Sequence, residues 1–379
     1  MDKHPDPWTF RIPIIAFPWA LATAFVLLIG WFRNINLLLL LGYLLAAVPL
    51  LNALAATRPL RGLRGRRRIT QPVYAGLPCA VSVRITPTNG ARLGVRVEDV
   101  GPAHRLSWFA DRLEPDGLSF RGHVVLLQRG RYRWGPVRAS SGYPFGLVYR
   151  RKELAPAEEI IVLPRLGRLH RGAFRRLLWS AASDPDRRWR QPRRHAAAQE
   201  QFHGLRPFRP GDNPRSVHWR TSAHRGEWMV REFEDLPGEN LLLVFDPAVD
   251  AGYGQDAFEA AVSLTATIAA EWRGDHGGRL IAVVAGEDPA ILDGPSGSAH
   301  VRRVLEQLAV VEPLSSDATS AVLLERLTAV PSAAIVVVGA GRSRLADMLR
   351  QALGRPIAYL DATALDSLGF YEPAIRDAE

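Results

Sequence analysis

The chain has 379 residues, 47% of them hydrophobic, which predicts two or three globular domains of about 100 to 200 residues each. Its single cysteine, Cys79, excludes an intrachain disulfide and a cysteine-based metal site. The net charge of +10 is unevenly spread: residues 1–231 hold 38 basic and 15 acidic side chains and residues 232–379 hold 10 and 23, which indicates separate surfaces or partners.

Two uncharged apolar stretches near the N-terminus predict a membrane hairpin, residues 1–57. Residues 12–32 and 34–57 carry no charge and comprise 21 and 24 residues. A helix needs about 20 residues to cross about 30 Å of hydrocarbon, so each stretch is long enough. Because the connection around Arg33 is short, the two helices must be antiparallel, with both ends of the hairpin on one side of the membrane.

Basic residues around the hairpin predict its orientation. Lys3 and Arg11 precede it, Arg33 lies in the far loop, and residues 58–68 hold six arginines. The positive-inside rule then predicts a multi-pass protein of the cell (inner) membrane with both termini in the cytoplasm. We interpret residues 58–68 as a basic juxtamembrane segment that contacts anionic headgroups. A nucleic-acid patch is the alternative, but no aromatic residues are interleaved with these arginines.

The next segments predict a β-domain and then a connector. Residues 69–165 contain short alternating runs separated by Gly, Pro, Asn and Asp, which is typical of a small antiparallel β-sandwich. Residues 164–199 hold ten arginines and a Ser-Asp-Pro-Asp break. We therefore predict a mobile, Arg-rich connector at residues 166–199.

Strands alternate with helices in residues 238–379. The predicted strands are continuous apolar runs, which indicate a parallel sheet covered by helices on both faces. The predicted strands are Asn240–Phe245, Leu280–Ala285, Ala334–Gly339 and Ile357–Leu360, and the predicted helices are Phe258–Trp272, Val301–Leu308, Val322–Leu327 and Arg344–Leu353.

The loop after the first of these strands carries the candidate metal ligands, Asp246 and Asp250. Open parallel sheets bind ligands beyond the carboxyl ends of their strands. Two carboxylates there suit a hard cation such as Mg²⁺. The competing interpretation is that Asp246 caps a turn, as aspartates after strands often do. The prediction is no cofactor, with a divalent cation at Asp246 and Asp250 as the alternative.

Residues 200–237 are the most unusual stretch, because charged and aromatic side chains surround a Pro-Gly-Asp turn. A short helix is predicted from Pro214 to about His224, ended by Gly226 and followed by an edge strand from Trp228 to Phe233. The cluster either docks the connector on the sheet, which we favour, or forms a recognition surface. The candidate residues are Phe202, Arg206, Phe208, Arg209, Pro210, Gly211, Asp212, Arg215, Trp219 and Arg225.

Catalytic motifs are missing from the sequence. It contains no Gly-rich phosphate loop, no HExxH and no GxSxG, which argues against a nucleotide enzyme. The enzyme alternative is a metal-dependent hydrolase that uses Asp246 and Asp250 with Asp212 and His218. That reading requires these side chains to converge within a few ångströms.

The stretch EQFHGLRPFRPGDNPRSVHWRTSAHRGEWMVREFE resembles the signature of a bacterial family catalogued as domain of unknown function number fifty-eight. RGRYRWGPVRASSGYPFGLV resembles that family's sandwich-ending segment, with Tyr143 where an aspartate is usual. The resemblance implies a von Willebrand factor A-like domain from about Asn240, often encoded beside MoxR-type AAA+ ATPases and transglutaminase-like membrane proteins. A metal site in such domains reads Asp-x-Ser-x-Ser, of which Asp246 matches, whereas Ala248 and Asp250 replace the serines.

The sequence and the resemblance lead to one prediction of architecture and function. The architecture is a multi-domain membrane protein with two transmembrane helices, a small β-sandwich and a C-terminal α/β von Willebrand factor A-like domain. The function is a membrane-anchored, non-enzymatic protein-interaction module that faces the cytoplasm. Its expected partners are the lipid bilayer, a MoxR-type AAA+ ATPase and another membrane protein, in the assembly or remodelling of a protein complex. Nucleic acid is not expected.

Overall fold

The protein has a mixed α/β fold with several sheets. It divides into two compact units, Met1–Leu163 and Pro164–Glu379. The six-part division made from the sequence is finer than this and stays a prediction. The computed structural model describes residues 8–182, 202–207, 218–233, 240–249, 253–272, 278–286, 288–314, 327, 334–354 and 356–374.

Two apolar helices lie at the start of the first unit. Helix α1 comprises Ala16–Phe32 and helix α2 comprises Asn36–Ala55, close to the predicted bounds. Asn34, in the turn between them, has a left-handed φ of 49°. The helical stretch Asn36–Leu60 is long and apolar enough to cross a membrane, whereas α1 is shorter, with 17 residues.

Small residues let these two helices approach closely. A Cβ atom on Gly42 would overlap the Leu27 side chain, and one on Gly30 would lie 3.0 Å from the backbone of α2. Trp19 donates a hydrogen bond from Nε1 to the Leu45 carbonyl oxygen across the pair, at 3.2 Å. Small residues at helix contacts are typical of helices that pack in a membrane.

Short strands, mostly antiparallel, form the rest of the first unit. They are β1 (Trp8–Arg11), β2 (Leu63–Ile69), β3 (Val73–Tyr74), β4 (Pro78–Pro87), β5 (Arg92–Val100), β6 (Arg105–Leu113), β7 (Leu118–Val125), β8 (Gly130–Trp134), β9 (Val137–Ser141), β10 (Tyr149–Ala155) and β11 (Glu158–Leu163). The sheet orders are β1-β10-β9-β5-β6, β2-β4-β7 and β3-β11-β8. Residues of different sheets pack together in two cores, one around Val83 and Val97 and one around Val81 and Trp134, and we refer to these packed sheets as the sandwich.

The chain enters the sheets of the first unit on both sides of the helix pair, through β1 before α1 and β2 after α2. Strand β1 precedes α1 and pairs with β10, with Trp8 opposite Lys152. After α2, a 3-10 turn at Arg58–Leu60 places Leu60 in the sandwich core. The chain then enters β2, so most of the predicted juxtamembrane segment, residues 58–68, is part of the sandwich.

The second unit combines a two-stranded antiparallel sheet with a five-stranded α/β sheet. Its elements are β12 (Arg168–Leu169), α3 (Arg171–Ala182), β13 (Phe202–Pro207), α4 (Trp219–Arg225), β14 (Met229–Phe233), β15 (Leu241–Val249), α5 (Gln255–Glu271), β16 (Arg279–Val284), β17 (Ala290–Pro295), α6 (Ser298–Val310), β18 (Ala334–Ala340), α7 (Arg344–Leu353), β19 (Ala358–Asp361), a 3-10 segment (Ala362–Ser367) and β20 (Tyr371–Glu372).

Helix α3 lies in the first part of the predicted Arg-rich connector. Phe174 and Leu178 lie one turn apart on this helix and are both buried. The Phe174 ring packs against Trp272 and Phe370, with centroids 6.4 and 5.3 Å apart. In the sequence, this apolar stripe is difficult to recognise because arginines surround it. The remainder of the predicted connector, residues 183–199, lies outside the described residues.

The α/β sheet has the strand order β17-β16-β15-β18-β19. Strands β16, β15, β18 and β19 are parallel, as predicted. Edge strand β17 is missing from the prediction and runs antiparallel to β16. Residues 285–289, which join them, are too few for a parallel crossover. The residues of β17 are half-buried or exposed, so they lack the apolar run of the other strands. Of the predicted helix 322–327, only Leu327 is described.

Candidate functional site

The first candidate site lies at the carboxyl ends of the parallel strands. Asp246, near the end of β15, has a buried side chain. Its Oδ1 accepts a hydrogen bond from the Ala248 backbone N–H at 3.1 Å, which is the turn-capping role that the sequence leaves open. Its Oδ2 accepts a hydrogen bond from the Ser343 hydroxyl at 2.5 Å. The carboxylate therefore connects its own loop to the loop before α7.

Ser343 is the N-cap residue of α7. Its Oγ donates to Asp246 and accepts a hydrogen bond from the Ala346 backbone N–H at 3.0 Å. Two residues earlier, Gly341 has a φ of +85° and donates its backbone N–H to Asp361 Oδ1 at 2.9 Å. Two aspartates thus hold the loops at the ends of β15, β18 and β19.

These contacts bear on the predicted metal ligands. The Asp246 carboxylate accepts hydrogen bonds from the protein's own donors. Ala248 has no side-chain oxygen that could bind a metal ion. Asp250 lies outside the described residues. Within the described ranges, no group of three or more His, Cys, Asp or Glu side chains is placed to hold a metal ion. The metal role of Asp246 and Asp250 stays a prediction.

The second candidate site lies in residues 200–237. Strands β13 and β14 pair antiparallel, with Arg206 opposite Val230, and form a separate two-stranded sheet. The predicted edge strand of this region therefore pairs with β13, and α4 ends at Gly226, as predicted. The predicted helix start at Pro214 lies outside the described residues. In the part of the chain that the structure describes, helix α4 begins at Trp219.

Side-chain hydrogen bonds hold α4 against β14. His218 Nδ1 accepts a hydrogen bond from the Thr221 backbone N–H at 3.3 Å and lies 2.8 Å from Thr221 Oγ1. Ser222 Oγ accepts a hydrogen bond from the Met229 backbone N–H at 2.8 Å, and the Met229 side chain is buried. His218, a ligand in the hydrolase alternative, thus has a structural role as the N-cap of this helix.

Two tryptophans of this region are exposed to solvent. Trp219 is 63% exposed and Trp228 is 57% exposed. Their ring centroids lie 6.3 Å apart, with the ring planes at 70°. The docking role of residues 200–237, including this Trp pair, stays a prediction. Exposed tryptophans are typical of recognition surfaces, where Trp is enriched among the residues that dominate binding.

Strand β13, helix α4, strand β14 and the α/β sheet follow one another in the chain. Residues 204–360 match the family model described as "Protein of unknown function DUF58". This DUF58 segment includes Asp246, Ser343 and the Trp pair. It covers less than half of the 379 residues.

The chain is also similar to a curated protein, the uncharacterised protein YeaD from Bacillus subtilis (strain 168). It is 32% identical over 123 residues, which make up 32% of this chain and 29% of YeaD. The chain therefore matches less than a third of the length of that relative. No solved structure matches the chain.

The remaining predicted site residues of the DUF58 signature divide into two groups. Phe202 and Arg206 lie on β13 and Arg225 lies on α4, which fixes their backbone positions. The others lie outside the described residues, so their predicted roles stay predictions: Phe208, Arg209, Pro210, Gly211, Asp212 and Arg215.

A buried ion pair in the first unit is absent from the sequence predictions. The Arg67 side chain, 2% exposed, donates from Nη1 to Asp99 Oδ1 at 2.7 Å and from Nε to Glu158 at 2.5 Å. Trp134 Nε1 donates to the same Asp99 oxygen at 3.2 Å. Burial raises the pKa of the Asp99 carboxyl, and Arg67 opposes that rise. Period-two alternation from Leu63 is the signal that places Arg67 on the inner face of β2.

Proposed function

We propose that the protein is a membrane-anchored, non-enzymatic protein-interaction module. In this proposal, α1 and α2 span the cell inner membrane, and both termini and residues 58–379 face the cytoplasm. The second unit contains the von Willebrand factor A-like domain that binds partners. The inverted burial pattern of the helix pair carries the proposal.

In α1 and α2 the buried residues are small or polar, and the exposed residues are large and apolar. The buried ones are Thr23, Gly30, Gly42 and Asn52. The exposed ones include Phe17, Leu21, Phe25, Leu28, Trp31, Phe32, Leu37, Leu40, Leu41, Leu44, Leu50, Leu51 and Leu54. A helix of a soluble protein turns its apolar stripe inward instead. Apolar side chains on the outer surface of a helix pair are favourable in hydrocarbon, where the backbone is satisfied within each helix.

The distribution of basic residues supports the cytoplasmic orientation. Arg67 does not contribute to it, because its guanidinium is buried in the sandwich. The remaining five arginines of residues 58–68, with Lys3 and Arg11, still outnumber Arg33 in the far loop. The positive-inside rule places the richer side in the cytoplasm.

The DUF58 segment supports the choice of partner. Resemblance to this family implies a MoxR-type AAA+ ATPase and a second membrane protein, and we propose that the three assemble or remodel a protein complex. The strand order of the sheet, 3-2-1-4-5 in chain order, is that of a doubly wound α/β domain and supports the von Willebrand factor A-like assignment. The Trp pair is the proposed contact surface.

The hydrolase alternative is less well supported than the interaction role. It needs the Asp246 carboxylate as a metal ligand, and both carboxylate oxygens accept hydrogen bonds from the protein. It also needs His218, whose Nδ1 accepts a hydrogen bond at the start of α4.

Reporter fusions test the membrane topology. Alkaline phosphatase, which is active only outside the cytoplasm, should be inactive when fused after Glu379 and active when fused after Asn34. Green fluorescent protein should give the opposite pattern at the same two positions. Active phosphatase at Glu379 would contradict the cytoplasmic orientation, and identical results at both positions would contradict the hairpin.

Co-purification tests the contact surface. The full-length protein carrying Trp219→Ala and Trp228→Ala should no longer retain the MoxR-type ATPase. A matched control is Phe109→Ala, which removes an aromatic ring that is also 57% exposed but lies in the sandwich. Equal retention by the double variant and the control would show that the Trp pair is not the contact surface.

A further inference from the structure

The turn between β9 and β10 presents an aromatic tip to its surroundings. Tyr143 is 45% exposed and Phe145 is 57% exposed, with the exposed Pro144 between them. The whole stretch 139–149 carries no charged side chain, although Arg138 and Arg150 flank it. The turn therefore exposes two aromatic rings and a proline with no charged side chain among them.

This aromatic turn is attached directly to the apolar helix α2. Asn52 Nδ2 donates a hydrogen bond to the Gly142 carbonyl oxygen at 2.9 Å. Asn52 Oδ1 accepts hydrogen bonds from the backbone N–H groups of Leu147 and Val148, each at 2.8 Å. Asn52 is fully buried, and its amide is satisfied by the two ends of the turn, which fixes the turn on the helix.

The attachment sets the depth of the turn along α2. Asn52 lies three residues before Ala55, the last residue of the helix. At 1.5 Å of rise per residue, it lies about 5 Å from the helix end. If the 20 residues of α2 span about 30 Å of hydrocarbon, Asn52 lies about 5 Å inside its edge, close to the boundary between the acyl chains and the headgroups. Tyrosine and tryptophan are enriched at this boundary because their rings combine an apolar body with a polar end.

We propose that the turn Tyr143–Pro144–Phe145 inserts into the interfacial layer of the same bilayer that α2 crosses. The ligand of this surface is the lipid interface, and the turn holds the sandwich against the membrane at a third point besides the two helix ends. The inference rests on the proposed membrane anchoring. It goes beyond that role because it assigns a lipid contact to a loop of the sandwich.

Depth-dependent fluorescence quenching tests this insertion in the full-length protein. Replacement of Cys79 by alanine leaves a cysteine-free background, since Cys79 is the single cysteine. Phe145→Cys and Tyr143→Cys each place one environment-sensitive nitrobenzoxadiazole probe on the turn, and the other aromatic ring is kept in each variant. Leu44→Cys on α2 and Leu127→Cys on the sandwich, exposed by 62% and 70%, are the matched controls.

The four labelled proteins are reconstituted in vesicles of phosphatidylcholine and phosphatidylglycerol that carry a spin label either near the headgroup or deep in the acyl chain. We expect both turn probes to lose more fluorescence to the shallow label than to the deep one. The Leu44 probe should show the reverse order, and the Leu127 probe should be quenched by neither. A stable fold is checked by comparing the melting temperature of each variant with that of the background.

The controls separate failure of this inference from failure of the proposed function. If the Leu44 probe is quenched by the deep label and both turn probes behave like Leu127, the insertion is wrong and the membrane anchoring stands. Turn probes with blue-shifted emission but no quenching would indicate that protein covers the turn, which also overturns the insertion. If the Leu44 probe is not quenched, α2 does not cross the bilayer and both proposals fail.

Discussion

In the sandwich, the buried Asp99 is paired with the buried guanidinium of Arg67, whereas at the edge of the α/β sheet the buried Asp246 accepts hydrogen bonds from neutral groups. The first arrangement places two charges away from water, so the loss of either one leaves the other unpaired. In the second arrangement a hydroxyl and a backbone N–H both donate hydrogen bonds to the carboxylate. The two regions therefore differ in how much stability depends on a single carboxylate.

The largest expected effect is that of Asp99→Ala. It leaves Arg67 buried with Glu158, whose side chain is half exposed, as its remaining carboxylate partner, and we expect the sandwich to lose about 3 to 5 kcal/mol of unfolding free energy. Hydrogen exchange of β2, β4 and β9 measures this loss. Arg68→Ala, on the exposed face of the same strand, is the control and should change stability by about 0.5 kcal/mol or less. Equal effects would mean that the ion pair contributes little.

Asp246→Ala should have a smaller effect. Its loss removes hydrogen bonds to the carboxylate from the Ala248 backbone N–H and the Ser343 hydroxyl, so we expect a loss of about 1.5 to 3 kcal/mol. Hydrogen exchange of β15 and α7 locates it. Asp366→Ala is a surface control from the same unit. A loss larger than that of Asp99→Ala would reverse the comparison between the two regions.

Trp219→Ala should destabilise the protein less than either carboxylate variant. Because Trp219 is largely exposed, we expect a change in unfolding free energy below about 1 kcal/mol. Thermal melting of the full-length protein compares it with Trp272→Ala, which removes a buried ring and should cost about 3 to 5 kcal/mol. Similar losses in the two variants would indicate that the Trp pair has a packing role.

Magnesium ions should have the smallest effect. The Asp246 carboxylate already accepts two hydrogen bonds, so we expect millimolar Mg²⁺ or EDTA to leave the melting temperature of the protein unchanged. A ligand that binds the folded state raises that temperature by mass action. If Mg²⁺ raises it in the parent protein and not in Asp246→Ala, then Asp246 is a metal ligand.

The elements with a strong periodic or continuous apolar pattern were predictable from the sequence. The predicted helix Arg344–Leu353 has the observed bounds of α7, and the helix pair lies close to its predicted ends. Strand β17 was not predictable in this way, because a half-exposed edge strand shows no continuous apolar run. Helix α3 was hidden because only Phe174 and Leu178 of its residues with described side chains are buried, among several arginines.

The site was less predictable than the fold. The sequence places Asp246 after a strand, but its contact with Ser343 joins residues 97 positions apart, which no local pattern reveals. In the sequence, Arg67 resembles the arginines beside it. The register of β2 shows that its side chain faces inward. Exposure of the Trp pair was also hidden, since the same tryptophans would suit a buried docking contact or a recognition surface.

The pairing of β1 with β10 has a consequence for how the protein is made. Trp8 leaves the ribosome long before Lys152, its partner in the sheet, so β1 is synthesised early and paired late. If the protein is anchored in a membrane as proposed, both helices are made before this pairing becomes available. In that case β1 stays unpaired at the membrane surface until β10 has been made. Sheet closure would therefore be the event that completes anchoring, and a chain cut short before residue 149 would have a hairpin without a fixed orientation toward the sandwich.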